Sequence, residues 1–409
     1  MNLTKIKELD YTQYINYIAV AYAFTIPLSR AGIGILTALL ILFWILEGNF
    51  KYKFSIYKQN RVIIALALFI LFSLISLIWT EDKATALHFI KRYWYLSPIL
   101  IFMISLKKEY LSKVLTAFIL GMFVSEVIAY GVFFEIWEFK HATAANPSPF
   151  MHHIEYSIFL GLTSLILLNR IFNYGDIKYK IFYALFFITV TGNLFLTNAR
   201  TGQIAFIIGL FVLAILSFKN RLQAIFISLF LSSIVLFGAY NLSDTFHKRV
   251  IIGKNNLINV VEKENYCTSL GNRIGAWIVS KDIILADPIL GLGVKDNMDE
   301  FHKIIDIKYP SMKCMHSMVY THNQYLEVWI SLGVIGLIIF LSIFYFMFKV
   351  PIKDSELQHI KYIYLSVLLF GFMPDTLWLK QYSLALSALI FGLLLAQYRI
   401  EKENKLLDE

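Results

Sequence analysis

Residues 325–348, YLEVWISLGVIGLIIFLSIFYFMF, form an apolar run in which Glu327 is the only charged residue. A helix needs about 20 apolar residues to cross the hydrocarbon core of a bilayer, because it rises about 1.5 Å per residue. The run therefore predicts a membrane-spanning helix, and comparable runs elsewhere in the chain carry the same meaning.

The composition of the whole chain agrees with that interpretation. Of 409 residues, 58% are hydrophobic and only 16% are charged, and the mean hydropathy is +0.64. Soluble domains have about 25% charged residues, and one water-soluble core cannot bury so large an apolar fraction. The sequence thus predicts an all-α polytopic membrane protein with about twelve transmembrane helices. These are expected near residues 12–29, 31–47, 62–79, 90–106, 112–134, 153–169, 179–197, 202–218, 223–240, 325–348, 360–375 and 379–397.

The distribution of charge predicts the orientation. Twelve spans place both termini on one side, and most Lys and Arg residues of the short loops lie on that side, which the positive-inside rule assigns to the cytoplasm. The net charge of +9 then follows from topology and not from nucleic-acid binding.

The chain is expected to have three parts. Residues 1–240 carry spans one to nine, residues 241–320 form a long polar periplasmic segment that folds as a cap, and residues 321–409 carry the last three spans and a cytoplasmic tail. Both cysteines, Cys267 and Cys314, lie in the cap. An oxidising periplasm permits a disulfide there, and the sequence leaves a disulfide and two free thiols equally open.

Four arginines near the predicted outer face need an explanation, because a charge inside a span costs about 2.5 to 3.5 kcal/mol. A guanidinium binds phosphate through two parallel hydrogen bonds, so clustered arginines suit a lipid-linked diphosphate. Anchoring at the membrane interface is the simpler explanation of Arg30 and Arg92, although both remain candidates for the phosphate site. Asn198 and Arg200, in NARTGQ between two apolar spans, favour a polar cavity, and Arg273 begins an amphipathic segment of the cap.

His322 stands beside Asn323 at the outer entrance to the apolar run 325–348. A histidine held near a hydroxyl can act as general base, although a single interfacial histidine is more often structural. Gly333 and Gly336 have the spacing of small residues that let a neighbouring helix pack closely.

No cofactor or metal is expected. GxxxxGK[ST], GxGxxG after a strand and CxxC are all missing from the sequence, which leaves nucleotide hydrolysis, dinucleotide redox chemistry and structural zinc without support. His152 and His153 belong to a loop that is a candidate for binding an acceptor substrate. They also resemble a metal-binding pair, but no further ligand stands at zinc-like spacing from them. The energy for any transfer must come from the substrate.

The order of these motifs resembles the O-antigen ligase and polymerase superfamily. His322 and Asn323, then nine residues, Gly333, two residues and Gly336, match its histidine-glycine signature. NARTGQ at 198–203 and NRIGAWIVSKDIILADPILGLG at 272–293 follow the same family in the same order.

The resemblance implies an enzyme of the bacterial inner membrane that transfers a glycan from undecaprenyl diphosphate on the periplasmic side, with inversion and without a metal. Arg200 and Arg273 would bind the donor diphosphate and His322 would be the base, with Asn198, Asn323, Gly333 and Gly336 in support. The acceptor favoured by the modest cap is lipid A-core, the acceptor of an O-antigen ligase. An O-antigen polymerase, a protein O-oligosaccharyltransferase and, outside enzymes, a glycan-lipid transporter remain alternatives.

Overall fold

The computed structural model describes residues 10–173, 176–295 and 297–408, and its regular elements in these ranges are helices. The α-helices are α1 Tyr11–Thr25, α2 Arg30–Glu47, α3 Phe50–Tyr57, α4 Arg61–Ile75, α5 Lys83–Lys91, α6 Pro98–Ser105, α7 Lys108–Phe133, α8 His153–Asn173, α9 Ile177–Leu196, α10 Arg200–Ser217, α11 Arg221–Leu242, α12 Asp244–Lys263, α13 Gly271–Ala286, α14 Asn297–Lys308, α15 Gln324–Lys349, α16 Ser355–Gly371 and α17 Gln381–Asp408. Short 3₁₀ turns occur at Ser76–Ile78, Arg92–Leu96, Pro310–Ser317 and Leu377–Leu379. The predicted all-α class is confirmed.

Polar residues at the ends of the apolar runs set where several helices begin. The side chains of Ser29, Asn60 and Asn220 accept hydrogen bonds from backbone N–H groups in the first turns of α2, α4 and α11. Such caps satisfy donors that the helix itself leaves unpaired, and this need is strongest where water is scarce.

Nine helices in the described part of the chain are long and apolar enough to cross a membrane. The other three predicted spans look different. α1 has 15 residues and α16 has 17. The stretch predicted as one span at 90–106 divides into the end of α5, a 3₁₀ turn and the eight-residue helix α6. The count of twelve therefore stays a prediction, because local hydropathy does not reveal where a helix is interrupted.

α8 and α17 form the centre of the helical bundle. In each, 89% of the apolar window is buried inside the protein. α8 packs on α9 and α10, and α17 packs on α6. By contrast, only 17% of the corresponding window is buried in α2 and α11, whose exposed faces carry large side chains such as Phe226 and Phe237. Exposed apolar faces of this extent fit a hydrocarbon solvent and not water.

The polar segment between α11 and α15 has a small apolar core of its own, built by α13, α14 and the 3₁₀ turn Pro310–Ser317. We call residues 243–320 the cap, since α11 continues to Leu242. Val279, Phe301 and Met315 are among its buried residues. Cys267 and Cys314 are joined by a disulfide, so the bonded alternative holds and neither thiol is free. The bond ties the loop before α13 to the segment that leads into His322.

α15 is interrupted at Gly333, where the backbone has φ +64°. The loop 288–293 occupies the break: Leu292 N donates to Ile330 O at 2.9 Å, and Val334 N donates to Pro288 O at 2.9 Å. A Cβ on Gly333 would lie 2.0 Å from the carbonyl oxygen of Ile289. Only glycine fits both the left-handed backbone and the close contact. Gly333 therefore admits a loop of the cap, where the sequence predicted a neighbouring helix.

Candidate functional site

His322 is the last residue but one before α15, and its backbone is held in an unusual conformation. Its φ of +49° lies in the left-handed region, which costs free energy for a residue with a side chain. On one side, the backbone N–H and the hydroxyl of Thr321 both donate to Glu327 Oε2, at 3.0 and 2.9 Å. On the other, Asn323 caps α15 by accepting from Tyr325 N and Leu326 N. These bonds fix the direction of the His322 side chain.

The start of α15 also holds the loop between α16 and α17, residues 372–380, which we call the 372–380 loop. Gln324 N donates to Phe372 O at 2.8 Å, and Trp378 N donates to Gln324 Oε1 at 2.9 Å. These buried bonds connect segments that lie about fifty residues apart in sequence. They bring Asp375, in the middle of the loop, to His322.

Asp375 is the charged partner of His322. His322 Nδ1 lies 3.7 Å from Asp375 Oδ1, which is close enough for a charge interaction and too long for a hydrogen bond. Nδ1 is itself buried, whereas about a third of the His322 side chain is exposed. The exposed third of the side chain therefore does not include Nδ1, the atom nearest to the carboxylate. The other carboxylate oxygen accepts a hydrogen bond from Lys380 Nζ.

Asp375 stays ionised in this setting. Burial would by itself raise the pKa of Asp375, but the interactions with His322 and Lys380 outweigh it and hold the pKa well below its ordinary value. The side chain is 1% exposed. A buried carboxylate that keeps its charge can stabilise a proton on the imidazole beside it.

Three arginines line one small cavity on the α8 and α10 side of this loop, with a volume of about 260 Å³. Arg200 Nη2 donates to Ser269 Oγ at 3.2 Å, and Arg273 Nη1 donates to the Ser269 carbonyl at 2.7 Å. Arg249 Nε donates to Asn198 Oδ1 at 2.9 Å. We call this the arginine cavity. Arginines from α10, α12 and α13 thus converge, and no carboxylate of the described part of the chain lines the space between them.

Arg273 connects the arginine cavity to the histidine. Its Nε donates to the carbonyl of Pro374 at 3.0 Å, and Pro374 immediately precedes Asp375. Burial lowers the pKa of Arg273 and the nearby Asp375 opposes that shift. Arginine remains charged under such shifts. A ligand in the arginine cavity would therefore lie one residue from the Asp375 and His322 pair.

A second and larger cavity, of about 820 Å³, lies on the other side of the 372–380 loop. Leu379 and Lys380 of the loop contribute to its wall. We call it the wide cavity. Its remaining lining is mixed, with cationic, aromatic and polar side chains: Arg30, His88, Lys91, Arg92, Trp94, Tyr95, His152, Glu155, Tyr320 and Gln381.

His152 and His153 stand between the two cavities. Their rings lie 4.0 Å apart, with His152 in the wall of the wide cavity and His153 in that of the arginine cavity. Burial, and after it the charge of Lys380, lowers the pKa of His152, which favours the neutral ring at neutral pH. Among residues 10–173, 176–295 and 297–408, no three His, Cys, Asp or Glu side chains are grouped so as to hold a metal ion.

An apolar groove of about 1010 Å³ runs between α13 and α15. Trp277 and Leu285 of α13 face Leu326 and Trp329 of α15 across it. Trp277 lies about one helical turn from Arg273, so the groove begins close to the arginine cavity. Its lining suits a hydrocarbon chain.

The structure brings together most of the residues that the sequence singled out. Asn198, Arg200 and Arg273 share the arginine cavity, whereas Arg30 and Arg92 lie in the wide cavity. Gly336 contacts the side chain of Leu332 in its own helix, where an added Cβ would lie 2.2 Å from Leu332 Cβ.

Three residues of the site were not predicted from the sequence: Asp375, Lys380 and Arg249. Asp375 and Lys380 lie at the junction of two predicted spans, in FMPDTLWLK, and an acidic residue at such a junction is the signal that could have found them. Arg249 lies in a cap segment rich in charge, where one more cation carries no signal. Its relation to Arg200 depends on how α12 packs.

Comparison with known proteins agrees with the geometry. Residues 185–341, which contain Arg200, Arg249, Arg273 and His322, match the family model described as O-Antigen ligase. The chain is 28% identical over 226 residues to an uncharacterized protein of Haemophilus influenzae, covering 52% of this chain and 55% of that protein. It thus spans about half the length of that curated relative. The match confirms the family resemblance over these residues, and with the nine apolar helices it indicates a membrane protein.

Proposed function

We propose that this protein is an O-antigen ligase, which transfers a glycan from undecaprenyl diphosphate to lipid A-core on the periplasmic face of the inner membrane. One observation carries the proposal. The arginine cavity, which no carboxylate of the described residues lines, is bounded by Pro374, and Pro374 directly precedes the Asp375 that pairs with His322; the wide cavity borders the same loop at Leu379 and Lys380. Donor and acceptor would thus meet at His322.

The donor diphosphate occupies the arginine cavity in this proposal. Arg200, Arg249 and Arg273 are already held by hydrogen bonds to protein groups, so little ordering is needed when a phosphate binds. Guanidinium groups stabilise the negative charge that grows on the diphosphate as it leaves, a task that metal ions perform in other enzymes.

His322 acts as the general base. The acceptor hydroxyl gives its proton to the exposed side of the imidazole while its oxygen forms a bond to the anomeric carbon of the donor sugar. The bond from that carbon to the diphosphate oxygen breaks, undecaprenyl diphosphate leaves with the electron pair, and the configuration inverts. Asp375 stabilises the imidazolium that forms, and Lys380 helps to keep Asp375 ionised.

The polyprenyl tail lies in the groove between α13 and α15, whose near end is close to Arg273. The cap then faces the periplasm, and both termini face the cytoplasm. No cofactor takes part in this scheme, since the leaving diphosphate supplies the driving force.

The test is a reconstituted transfer assay. Purified protein in liposomes is given undecaprenyl diphosphate-linked glycan with lipid A-core, with a pilin-like protein, or with no acceptor, and EDTA is present throughout. We expect glycan on lipid A-core. Glycan on the protein alone would identify an oligosaccharyltransferase, a lengthened donor alone a polymerase, and movement of donor across the liposome without transfer a transporter.

The His322→Ala variant tests the assignment of the base. Loss of a general base lowers the rate about 10²- to 10⁴-fold, and we expect this loss in transfer to lipid A-core. His316→Ala is the matched control, because His316 lies in the cap with its ring paired to Asp306 at 3.1 Å. Full transfer by His322→Ala protein would exclude His322 as the base.

A further inference from the structure

The wide cavity has a charge pattern that the transfer scheme does not use. Among the described residues, its wall carries four cationic side chains, Arg30, Lys91, Arg92 and Lys380, and one carboxylate, that of Glu155. Positive charge that collects in a concave wall raises the local concentration of anions. The excess of cations should therefore influence the charge of the ligand that this cavity accepts.

Three of the four cations have no acidic partner among the residues that the structure describes. Within the described ranges, Lys380 pairs with Asp375, while no carboxylate lies within salt-bridge distance of Arg30, Lys91 or Arg92. Lys91 is exposed to the cavity side of α5. Unpaired cations that share one wall repel each other. An anion that binds among them relieves this repulsion and is itself stabilised.

Neutral contacts hold two of these cations in place. The Arg92 guanidinium lies 4.2 Å from the centre of the Phe89 ring and donates from Nη1 to the Leu379 carbonyl at 3.0 Å. The Arg30 guanidinium lies 5.4 Å from the centre of the Tyr382 ring. Aromatic rings and carbonyls orient a guanidinium without cancelling its net charge. The cations are thus preorganised and remain available to an anion.

The one carboxylate of the described lining is buried. Glu155 is 1% exposed, and its Oε1 accepts from Ser383 N at 3.3 Å and from Ser383 Oγ at 3.2 Å. It lies on the α8 side of the cavity, whereas Lys91 and Arg92 come from α5 and the turn that follows it. The charged groups that the structure describes on the α5 side of the cavity are therefore all positive.

The remaining lining fits a saccharide. Trp94, Tyr95 and Tyr320 supply aromatic surface on which sugar rings can pack, and His152 and Gln381 supply hydrogen-bonding groups. A volume of about 820 Å³ lies in the range of small-molecule binding sites. Lys380 places this cavity next to Asp375 and hence next to His322.

We propose that the wide cavity binds the acceptor saccharide and selects it by a negatively charged group, a phosphate ester or a carboxylate, near the accepting hydroxyl. This inference rests on the proposed function. A neutral glycan or an unmodified neutral peptide would surround the three cations without neutralising them, and would bind more weakly.

Binding measured without donor tests the inference independently of transfer. The wild-type protein in phosphatidylcholine nanodiscs is titrated with deacylated lipid A-core oligosaccharide of known phosphate content. The same oligosaccharide is then titrated after phosphatase treatment, and again after chemical reduction of its carboxyl groups. We expect removal of the recognised group to weaken binding about 10-fold or more, the loss of one charge-assisted contact. Equal affinity for all three forms would overturn the proposal.

Variants locate the effect in the cavity. Lys91→Gln and Arg30→Gln should each weaken binding of the intact oligosaccharide and narrow its advantage over the neutralised form. Lys83→Gln, at the opposite end of α5 and outside the cavity lining, should leave both unchanged. If all three variants bind like the wild type, the cations do not contact the ligand and the proposal fails.

Lipid headgroups offer the same phosphate chemistry, so a separate experiment tests whether they occupy the wide cavity. The oligosaccharide titration is repeated in nanodiscs that contain phosphatidylglycerol. Unchanged oligosaccharide affinity supports the saccharide site, whereas displacement of the oligosaccharide would make the cavity a headgroup site and overturn the proposal. Transfer activity is scored separately, so an inactive protein that binds charged oligosaccharide selectively would reject only the proposed function.

Discussion

The arginine cavity and the wide cavity share the 372–380 loop but hold their cations in different ways. In the arginine cavity, three guanidiniums surround about 260 Å³ and donate to Ser269, Asn198 and Pro374. In the wide cavity, lysines and arginines are spread among aromatic rings around about 820 Å³. A small space with guanidinium groups held in fixed positions suits one compact anion of constant shape. A broad space with separated cations suits a larger ligand that carries its charge at one point.

Of the changes that distinguish the two cavities, the loss of Arg200 is expected to have the largest effect, and that effect falls on the donor. Arg200→Ala should lower kcat/KM for the donor about 10²- to 10³-fold, the usual cost of removing one preorganised donor to a charged transition state. Its affinity for the acceptor oligosaccharide should not change. Initial rates at varied donor concentration, together with donor-free acceptor binding, give both numbers.

Arg221→Ala serves as the control for Arg200→Ala, because Arg221 begins α11 and lies outside both cavities. It should behave like the wild type. If Arg200→Ala weakened acceptor binding as strongly as donor use, the cavities would not be separate sites.

A smaller effect concerns the frame that both cavities share. Gly333→Ala forces a side chain into φ +64° and against the Ile289 carbonyl, which should cost about 1 to 3 kcal/mol. Because the first turns of α15 hold both His322 and the 372–380 loop, we expect lower kcat with similar changes in KM for donor and acceptor. Thermal unfolding in detergent and two-substrate kinetics are the measurements.

Gly238→Ala is the matched control, since nothing lies within 4 Å of a Cβ there and its backbone is helical. Replacing a glycine inside a helix by alanine stabilises by about 0.5 to 1 kcal/mol. A Gly333→Ala protein as stable as Gly238→Ala would refute the account of the break in α15.

The smallest expected effect concerns the pH dependence of stability at Asp375, the residue between the cavities. The pKa of Asp375 is depressed in the folded protein from an ordinary value of 3.8, so its stabilisation is complete above that value. It is lost only as pH falls through the lower folded pKa. Protonation of Asp375 should thus not narrow the difference in melting temperature between wild type and Asp375→Asn anywhere from about pH 5 to about pH 8. A difference that shrinks steadily toward pH 5 would contradict this.

Several features of the site could be predicted because they conflict with their local surroundings. Arg200 and Asn198 interrupt apolar sequence, and His322 precedes the run 325–348, so each is visible without knowledge of its neighbours. Asp375 and Lys380 were overlooked because polar residues are ordinary at the junction of two spans. Arg249 was overlooked because charge is ordinary in the cap.

The sequence by itself determined the all-α membrane class, most of the long apolar helices and the location of the cap, since the bilayer imposes length and hydropathy on each segment separately. It also predicted that four arginines and His322 lie near one face of the membrane. Only the tertiary structure decided that Arg249 joins Arg200, that Asp375 reaches His322, and that a cap loop enters α15 at Gly333. These contacts depend on how helices rotate and pack against one another, and hydropathy along a single chain does not contain that information.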